Sequence, residues 1–231
     1  GWVYDLSDFS TLFQDSAGTI PVTAVEQPVG LVLDKSQGLV LGPETNPNPG
    51  GPFIDTTGYI GDGSTLSIDS GNLKSLPPAA SAADIILDLS GLVIGGMYEI
   101  TVSVVGSAGT GVQINAAPVN GWAGLTVGGS LGVGASGTLT MYMASSNGTL
   151  RGRAMALSTD LPIYVSSFSV KLLPGNHASL PTTTKRPVLS SRVNLLTYSE
   201  DFSNVAWSTN LYDAGTLTKT TGVAGPDGSL T

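Results

Sequence analysis

Tyr98-Glu-Ile-Thr-Val-Ser-Val-Val105 puts Tyr98, Ile100, Val102 and Val104 on one face of an extended chain and Glu99, Thr101 and Ser103 on the other. Successive side chains of a strand point to opposite faces, so this stretch reads as a strand with one buried and one wetted side. Leu139, Met141 and Met143 alternate with Thr138, Thr140 and Tyr142 in the same way. Working outward, the pattern predicts eight strands, over 65–68, 84–89, 98–105, 112–116, 125–127, 138–143, 149–157 and 162–172. Turn residues separate them at Gly95-Gly96, Gly106 to Gly111, Gly128-Gly129 and Asn147-Gly148. In the last strand Ile163 and Val165 share one phase, while Phe168, Val170 and Leu172 share the other. A bulge near Ser166-Ser167 reconciles them. Eight short strands without intervening helices predict an all-β protein, an antiparallel jelly-roll-type β-sandwich, with a barrel as the structural rival.

Composition agrees. The chain has 231 residues, of which 41% are hydrophobic and only 11% charged, with 31 glycines and 14 prolines. A polar but weakly charged surface and frequent turn residues suit many short strands. The net charge of −8 and nine scattered basic residues exclude a nucleic-acid partner, because a phosphate backbone needs clustered cations. No cysteine is present, which removes disulfides, thiol nucleophiles and thiolate metal sites. No apolar run is long enough to span a membrane as a helix, so membrane insertion is not expected. Gly1-Trp2 lacks a signal-peptide pattern and suggests a trimmed N-terminus.

Four regions follow. Residues 1–42 form an N-terminal segment with one expected short helix over 5–15, capped by Ser7, with Leu6, Phe9, Leu12 and Phe13 on one face. Residues 43–173 form the sandwich, introduced by a loop or domain boundary at Gly42-Pro-Glu-Thr-Asn-Pro-Asn-Pro-Gly-Gly-Pro52. Residues 174–190 are a polar, proline-punctuated connector. Residues 191–231 begin a second sandwich that forty residues cannot close, so the expectation is a longer gene product or a tail that completes a neighbouring subunit's sheet.

Three stretches resemble modular proteins of tailed-phage virions. Asn194-Leu-Leu-Thr-Tyr-Ser-Glu-Asp-Phe-Ser-Asn-Val-Ala-Trp207, with Gly225-Pro-Asp-Gly228, is similar to the opening of carbohydrate-binding-like jelly rolls in tail fibres and capsid-associated proteins. Trp207 and Asp227 match the anchoring aromatic and the following turn. Asp8-Phe-Ser-Thr-Leu-Phe-Gln-Asp-Ser-Ala-Gly-Thr19 and Pro21-Val-Thr-Ala-Val-Glu-Gln-Pro-Val-Gly30 are similar to a second phage segment. Its later parts stand here at Asp34-Lys-Ser-Gln-Gly38, Gly175-Asn-His-Ala178 and Arg186-Pro-Val-Leu189. The resemblance implies that the sandwich is inserted in the N-terminal segment, so 31–42 and 174–190 lie side by side. It also implies a docking role for 1–42, a virion location, other virion proteins as partners, a trimer or ring, and attachment to a host surface glycan. In related jelly rolls the final strand carries aspartates that help bind a structural calcium, whereas serines stand at 166 and 167 here. A carbohydrate-binding module of a secreted bacterial glycosidase or adhesin is the alternative.

Candidate sites are few, and no cofactor or metal site is expected. His177, the only histidine, reads as a loop residue with local hydrogen bonds, since no serine or cysteine nucleophile accompanies it. Asp62 and Asp69 read as turn residues without calcium-loop spacing. Asp84 and Asp88 share one strand face about 13 Å apart by strand rise, too far for a glycosidase carboxylate pair. The expected function is therefore non-catalytic. Trp122, between glycines in Asn120-Gly-Trp-Ala-Gly124, is the leading sugar-stacking candidate, against a buried sandwich tryptophan. Tyr142, Arg151 and Arg153 are the candidates to flank a groove.

Overall fold

The computed structural model describes residues 1–106 and 109–189. The second-sandwich expectation for 191–231, including Trp207 and Asp227, lies outside the described residues. Thirteen strands follow one another: β1 (Leu12–Phe13), β2 (Leu31–Val32), β3 (Tyr59–Ile60), β4 (Thr65–Asp69), β5 (Asn72–Leu76), β6 (Ala82–Ser90), β7 (Met97–Val105), β8 (Val112–Ala117), β9 (Thr126–Leu131), β10 (Gly137–Ala144), β11 (Thr149–Thr159), β12 (Ile163–Leu173) and β13 (Ala178–Ser179). Two five-stranded antiparallel sheets, ordered β10-β7-β12-β5-β4 and β3-β6-β11-β8-β9, form the jelly-roll-type sandwich. All eight anticipated strands are present. The bulge is present as well, as a register shift between Val165 and Ser167 against β7.

One inner phase per strand builds the core. Ile85, Leu87, Ile100, Val102, Ile114, Met141, Leu150, Val165, Phe168 and Val170 are fully or almost fully buried in a single cluster. Strands β3 and β5 escape the periodicity analysis. In β5 the inner positions are Leu73 and Ser75, both buried, and a buried serine breaks the apolar alternation. Ser75 is satisfied by donating its hydroxyl to the Asp84 carbonyl at 2.7 Å.

One sequence expectation is corrected here. Residues 5–15 form no α-helix. A 3-10 turn, Phe9–Thr11, is capped by Asp8 accepting from the Ser10 amide, and Leu12–Phe13 pairs with Leu31–Val32. Eleven residues make a marginal helix, and pairing that buries Leu12 completely outweighs it. The proline-rich stretch after Gly42 is a loop, as its composition predicts, held in place by isolated backbone bridges. Its backbone runs along β12 where β5 ends, bridging Glu44 to Lys171 and Gly50 to Ser167, with the Phe168 amide donating to the Pro49 carbonyl at 2.8 Å.

Around the sandwich, β1, β2 and β13 form a small sheet in which Ala178 pairs with Val32 and Ser179 with Leu31. The chain before and the chain after the sandwich thus lie side by side, as an insertion requires. Asp34 clasps them together. Fully buried, it accepts the amides of Val3, Ser36 and Asn176 at 2.9 Å each. Those amides, led by Asn176 and Val3, hold its carboxyl well below the usual carboxylate range. His177 completes the clasp: its Nδ1 accepts from the Asp34 amide and its Nε2 donates to the Leu173 carbonyl, both at 3.0 Å.

Two measurements check this description. Gly152 of β11 faces inward, and a Cβ there would meet the Phe168 ring at 2.8 Å. Gly152→Ala is expected to destabilise the sandwich by about 1–3 kcal/mol in denaturant unfolding, more than loss of glycine flexibility would predict. Because the Asp34 carboxyl is depressed, its contribution is complete above pH about 4 and is lost as pH falls through the folded-state value. Protection of the Val3 and Asn176 amides, taken against the intrinsic exchange rate at each pH, should therefore persist below pH about 4 and fall selectively only as the depressed folded-state value is approached, whereas Asp34→Asn should lower it already at neutral pH.

Candidate functional site

Strand β11 has two unlike faces. Leu150, Gly152, Ala154 and Ala156 point into the core, and Arg151, Arg153 and Met155 point outward. The register fixes what surrounds the two arginines. Arg151 lies between Asp88 on β6 and Ala117 on β8, and Arg153 lies between Ile86 and Asn115. Asp84 and Asp88 stand on the outer phase of β6, because Ala83, Ile85, Leu87 and Leu89 take the inner one.

Each arginine is held side-on. Arg151 donates Nε and Nη2 to the two oxygens of Asp88 at 2.7 and 2.6 Å. Arg153 donates the same pair to Asp84 at 2.7 and 2.8 Å. Side-chain exposure is only 14–22% in the first pair and 8–15% in the second, so solvent weakens neither strongly. The Asp88 hydrogen bonds, and then the charges of Asp88 and Asp62, push the Arg151 pKa further up.

Trp122 lies across both guanidiniums, with their central carbons 4.6 Å (Arg151) and 4.8 Å (Arg153) from its ring centroid. Such cation–π contacts orient a ring without burying it, and Trp122 remains 44% exposed. Its loop turns back through the Leu125 amide to the Trp122 carbonyl, with Gly121 at φ 123° and Gly124 at φ 72°. Beside Arg153, Asn115 is 2% exposed and its Oδ1 has no hydrogen-bond partner among the described residues.

Three of the four predicted residues therefore meet on one sheet face. Tyr142 does not join them. It belongs to β10 in the other sheet, where its hydroxyl donates to Glu99 at 3.0 Å and its amide donates to the Ala17 carbonyl at 2.7 Å. Its ring packs on Phe13 at 5.7 Å and closely against Gly18, whose φ of 67° and lack of a Cβ permit the approach. Burial, and then the Glu99 charge, push its phenol pKa up. Tyr142 fastens the N-terminal segment to the sandwich and lines an apolar cleft of about 390 Å3 with Met97, Pro118 and Pro181. It is an anchor on a different surface from Trp122.

Asp84, Asp88 and Asn115 are the members that sequence reading did not assign to the site. The two aspartates were visible as a same-face pair, but only the β6–β11 register reveals that they hold arginines. Among the described residues no group of three or more His, Cys, Asp or Glu side chains is arranged to hold a metal, and no helix is long and apolar enough to cross a membrane.

The chain matches no known family model and no curated protein. Solved structures with a similar strand arrangement include the CBM22-1 xylan-binding domain from Paenibacillus barcinonensis Xyn10C, at 12% identity and a TM-score of 0.45, covering 59% of this chain and 96% of that one. A family 29 carbohydrate-binding module from Piromyces equi is similar at 15% identity and a TM-score of 0.41, covering 57% and 89%. TmCBM61, solved with β-1,4-galactotriose, is similar at 9% identity and a TM-score of 0.40, covering 56% and 98%. At these values the ligands are properties of those modules, and the fold assignment here stands on the strand pairing itself.

The paired charges yield a stability prediction. Asp84→Ala strands a guanidinium in a largely buried position and is expected to cost about 3 kcal/mol. Asp84→Leu combined with Arg153→Met should recover most of that loss in equilibrium unfolding, which an additive pair of sites would not do.

Proposed function

We propose that the sandwich is a non-catalytic carbohydrate-binding module whose site is the outer face of the β3-β6-β11-β8-β9 sheet. The observation that carries this reading is the half-exposed Trp122 ring held across two fixed guanidiniums. An apolar sugar face stacks on an aromatic ring of this kind, and a ring already oriented loses little freedom when the ligand arrives. Arg151 and Arg153 then serve as the floor of the platform. Side-on pairing through Nε and Nη2 leaves Nη1 as the part of each fork not turned to its aspartate, available in direction to a sugar oxygen. Asp84 and Asp88 hold these forks rather than acting as an acid–base pair.

The finer setting we propose is attachment of a tailed-phage virion to host-surface glycan, with the N-terminal segment docking to other virion proteins in a trimer or ring. It is supported by the sequence resemblances around Asp8–Thr19, Asn194–Trp207 and Gly225–Gly228. A carbohydrate-binding module of a secreted glycosidase or adhesin would use the same face, and that reading needs no particle around it.

Glycan-array screening of the whole chain tests the shared claim. Trp122→Ala should weaken the leading interaction by about tenfold or more, a typical loss for a central aromatic contact. Tyr142→Phe should leave it unchanged. Binding that survives Trp122→Ala intact would place the ligand elsewhere.

A further inference from the structure

We propose that this face takes an uncharged glycan, and that Asp84 and Asp88 enforce the choice by denying Arg151 and Arg153 to acidic sugars. The proposal rests on the glycan-binding reading above and adds the chemical class of the ligand.

Arginine beside an exposed aromatic ring ordinarily suggests an acidic ligand, because its planar fork matches a carboxylate or sulfate bidentately. Here the side-on edge of each fork is filled. Nε and Nη2 of Arg151 are spent on Asp88, and those of Arg153 on Asp84, at 2.6–2.8 Å. A uronate or sulfate is left only the Nη1 side of each fork, beside a carboxylate that already neutralises the guanidinium, and it reaches the side-on edge only by displacing that carboxylate, which is tethered to the neighbouring strand and mostly shielded from solvent. Moving either aspartate aside would also leave its own charge unpaired, at a site where water screens it poorly.

The charge balance points the same way. Two arginines face Asp84 and Asp88, and Asp62 lies near enough to act on Arg151 by its charge, so carboxylates outnumber guanidiniums at the patch. The whole chain, at −8, disfavours the approach of a polyanion.

Asn115 supplies an independent discriminator. Its Oδ1, across from Arg153 in the register, is a buried acceptor without a donor. A sugar hydroxyl donates to it once the groups covering it shift aside, whereas a carboxylate or sulfate group in the same position offers only an acceptor. A buried acceptor left unmatched is costly, so donor-rich neutral sugars gain where anions do not.

Affinity electrophoresis and calorimetry on the whole chain test the proposal at low and moderate salt. The probes are uncharged gluco-, manno-, galacto- and xylo-oligosaccharides on one side, and polygalacturonate and heparin on the other. The expected result is binding to at least one uncharged probe with affinity nearly independent of salt, and none to the acidic polymers. Asp88→Asn and Asp84→Asn, each confirmed folded by its thermal transition, should acquire salt-sensitive binding to polygalacturonate or heparin at least about tenfold above the parent. Asn115→Leu should lower affinity for the uncharged probe without lowering the thermal transition. If either aspartate variant fails to fold, the salt series on the parent chain decides alone. Parent binding to an acidic polymer that weakens with salt overturns the uncharged-ligand proposal and leaves the glycan-binding reading standing. Absence of binding to both classes overturns the glycan-binding reading itself.

Discussion

Between Leu150 and Ala156, strand β11 has to satisfy two surroundings at once. Gly152 admits the Phe168 ring from the facing sheet, and its immediate neighbours Arg151 and Arg153 stand on the opposite side. A strand's side chains cannot be reassigned singly, since a one-residue slip exchanges the whole inner set for the outer one. The core contact at Gly152 therefore fixes the direction of both guanidiniums. The position of Trp122, which rests on them, follows from the same constraint. Core packing and the candidate site are thus two consequences of one register.

The arginine–aspartate pairs do a second task in that arrangement. Two cations on the outer face of a sheet would repel each other if left alone, and shielding them from water adds to the difficulty. Asp88 directly across the ladder and Asp84 one step along the diagonal remove both problems, so each arginine is neutralised and held in one direction. The result is a surface better suited to stacking and hydroxyl recognition than to ion capture. The other sheet has a looser counterpart, Lys74 at 3.6 Å from Asp69 and 5.4 Å from the Tyr164 ring centroid. Its edge strand β10 instead receives the N-terminal segment through Tyr142, Ala17 and Phe13, and a small cluster of Leu31, Leu33, Met97 and Leu173 buries the junction.

The polar clasp at Asp34 explains how segments separated by the whole sandwich remain together. Three backbone amides converge on one carboxylate, and His177 ties the same point to the end of β12. Sequence similarity to an interrupted segment predicted that 31–42 and 174–190 would be neighbours, and the β2–β13 pairing realises it. His177 is accordingly a structural hydrogen-bonding residue, with no role at the Trp122 face. The failed helix over 5–15 carries a different lesson. It was judged from local signals and overruled by backbone pairing with a distant strand.

The sequence by itself determined the all-β class, the eight main strands, the phase of their buried faces and even the bulge at Ser166-Ser167, because period-two alternation is a local property that a core reads directly. It also singled out Trp122, Arg151 and Arg153, residues whose chemistry stands out against a weakly charged chain. It left β5 hidden, since Ser75 is inward yet polar and its partner, the Asp84 carbonyl, belongs to another strand. Only the tertiary structure decided that β6 lies beside β11, and hence that Asp88 and Asp84 occupy the arginines. Only it placed Tyr142 on the far sheet and Asn115 beside Arg153 with an unmatched oxygen. The physical reason is the same each time: alternation fixes which way a side chain points, whereas its partner is set by which strand the fold brings alongside, over separations of 63 to 69 residues in the two ion pairs.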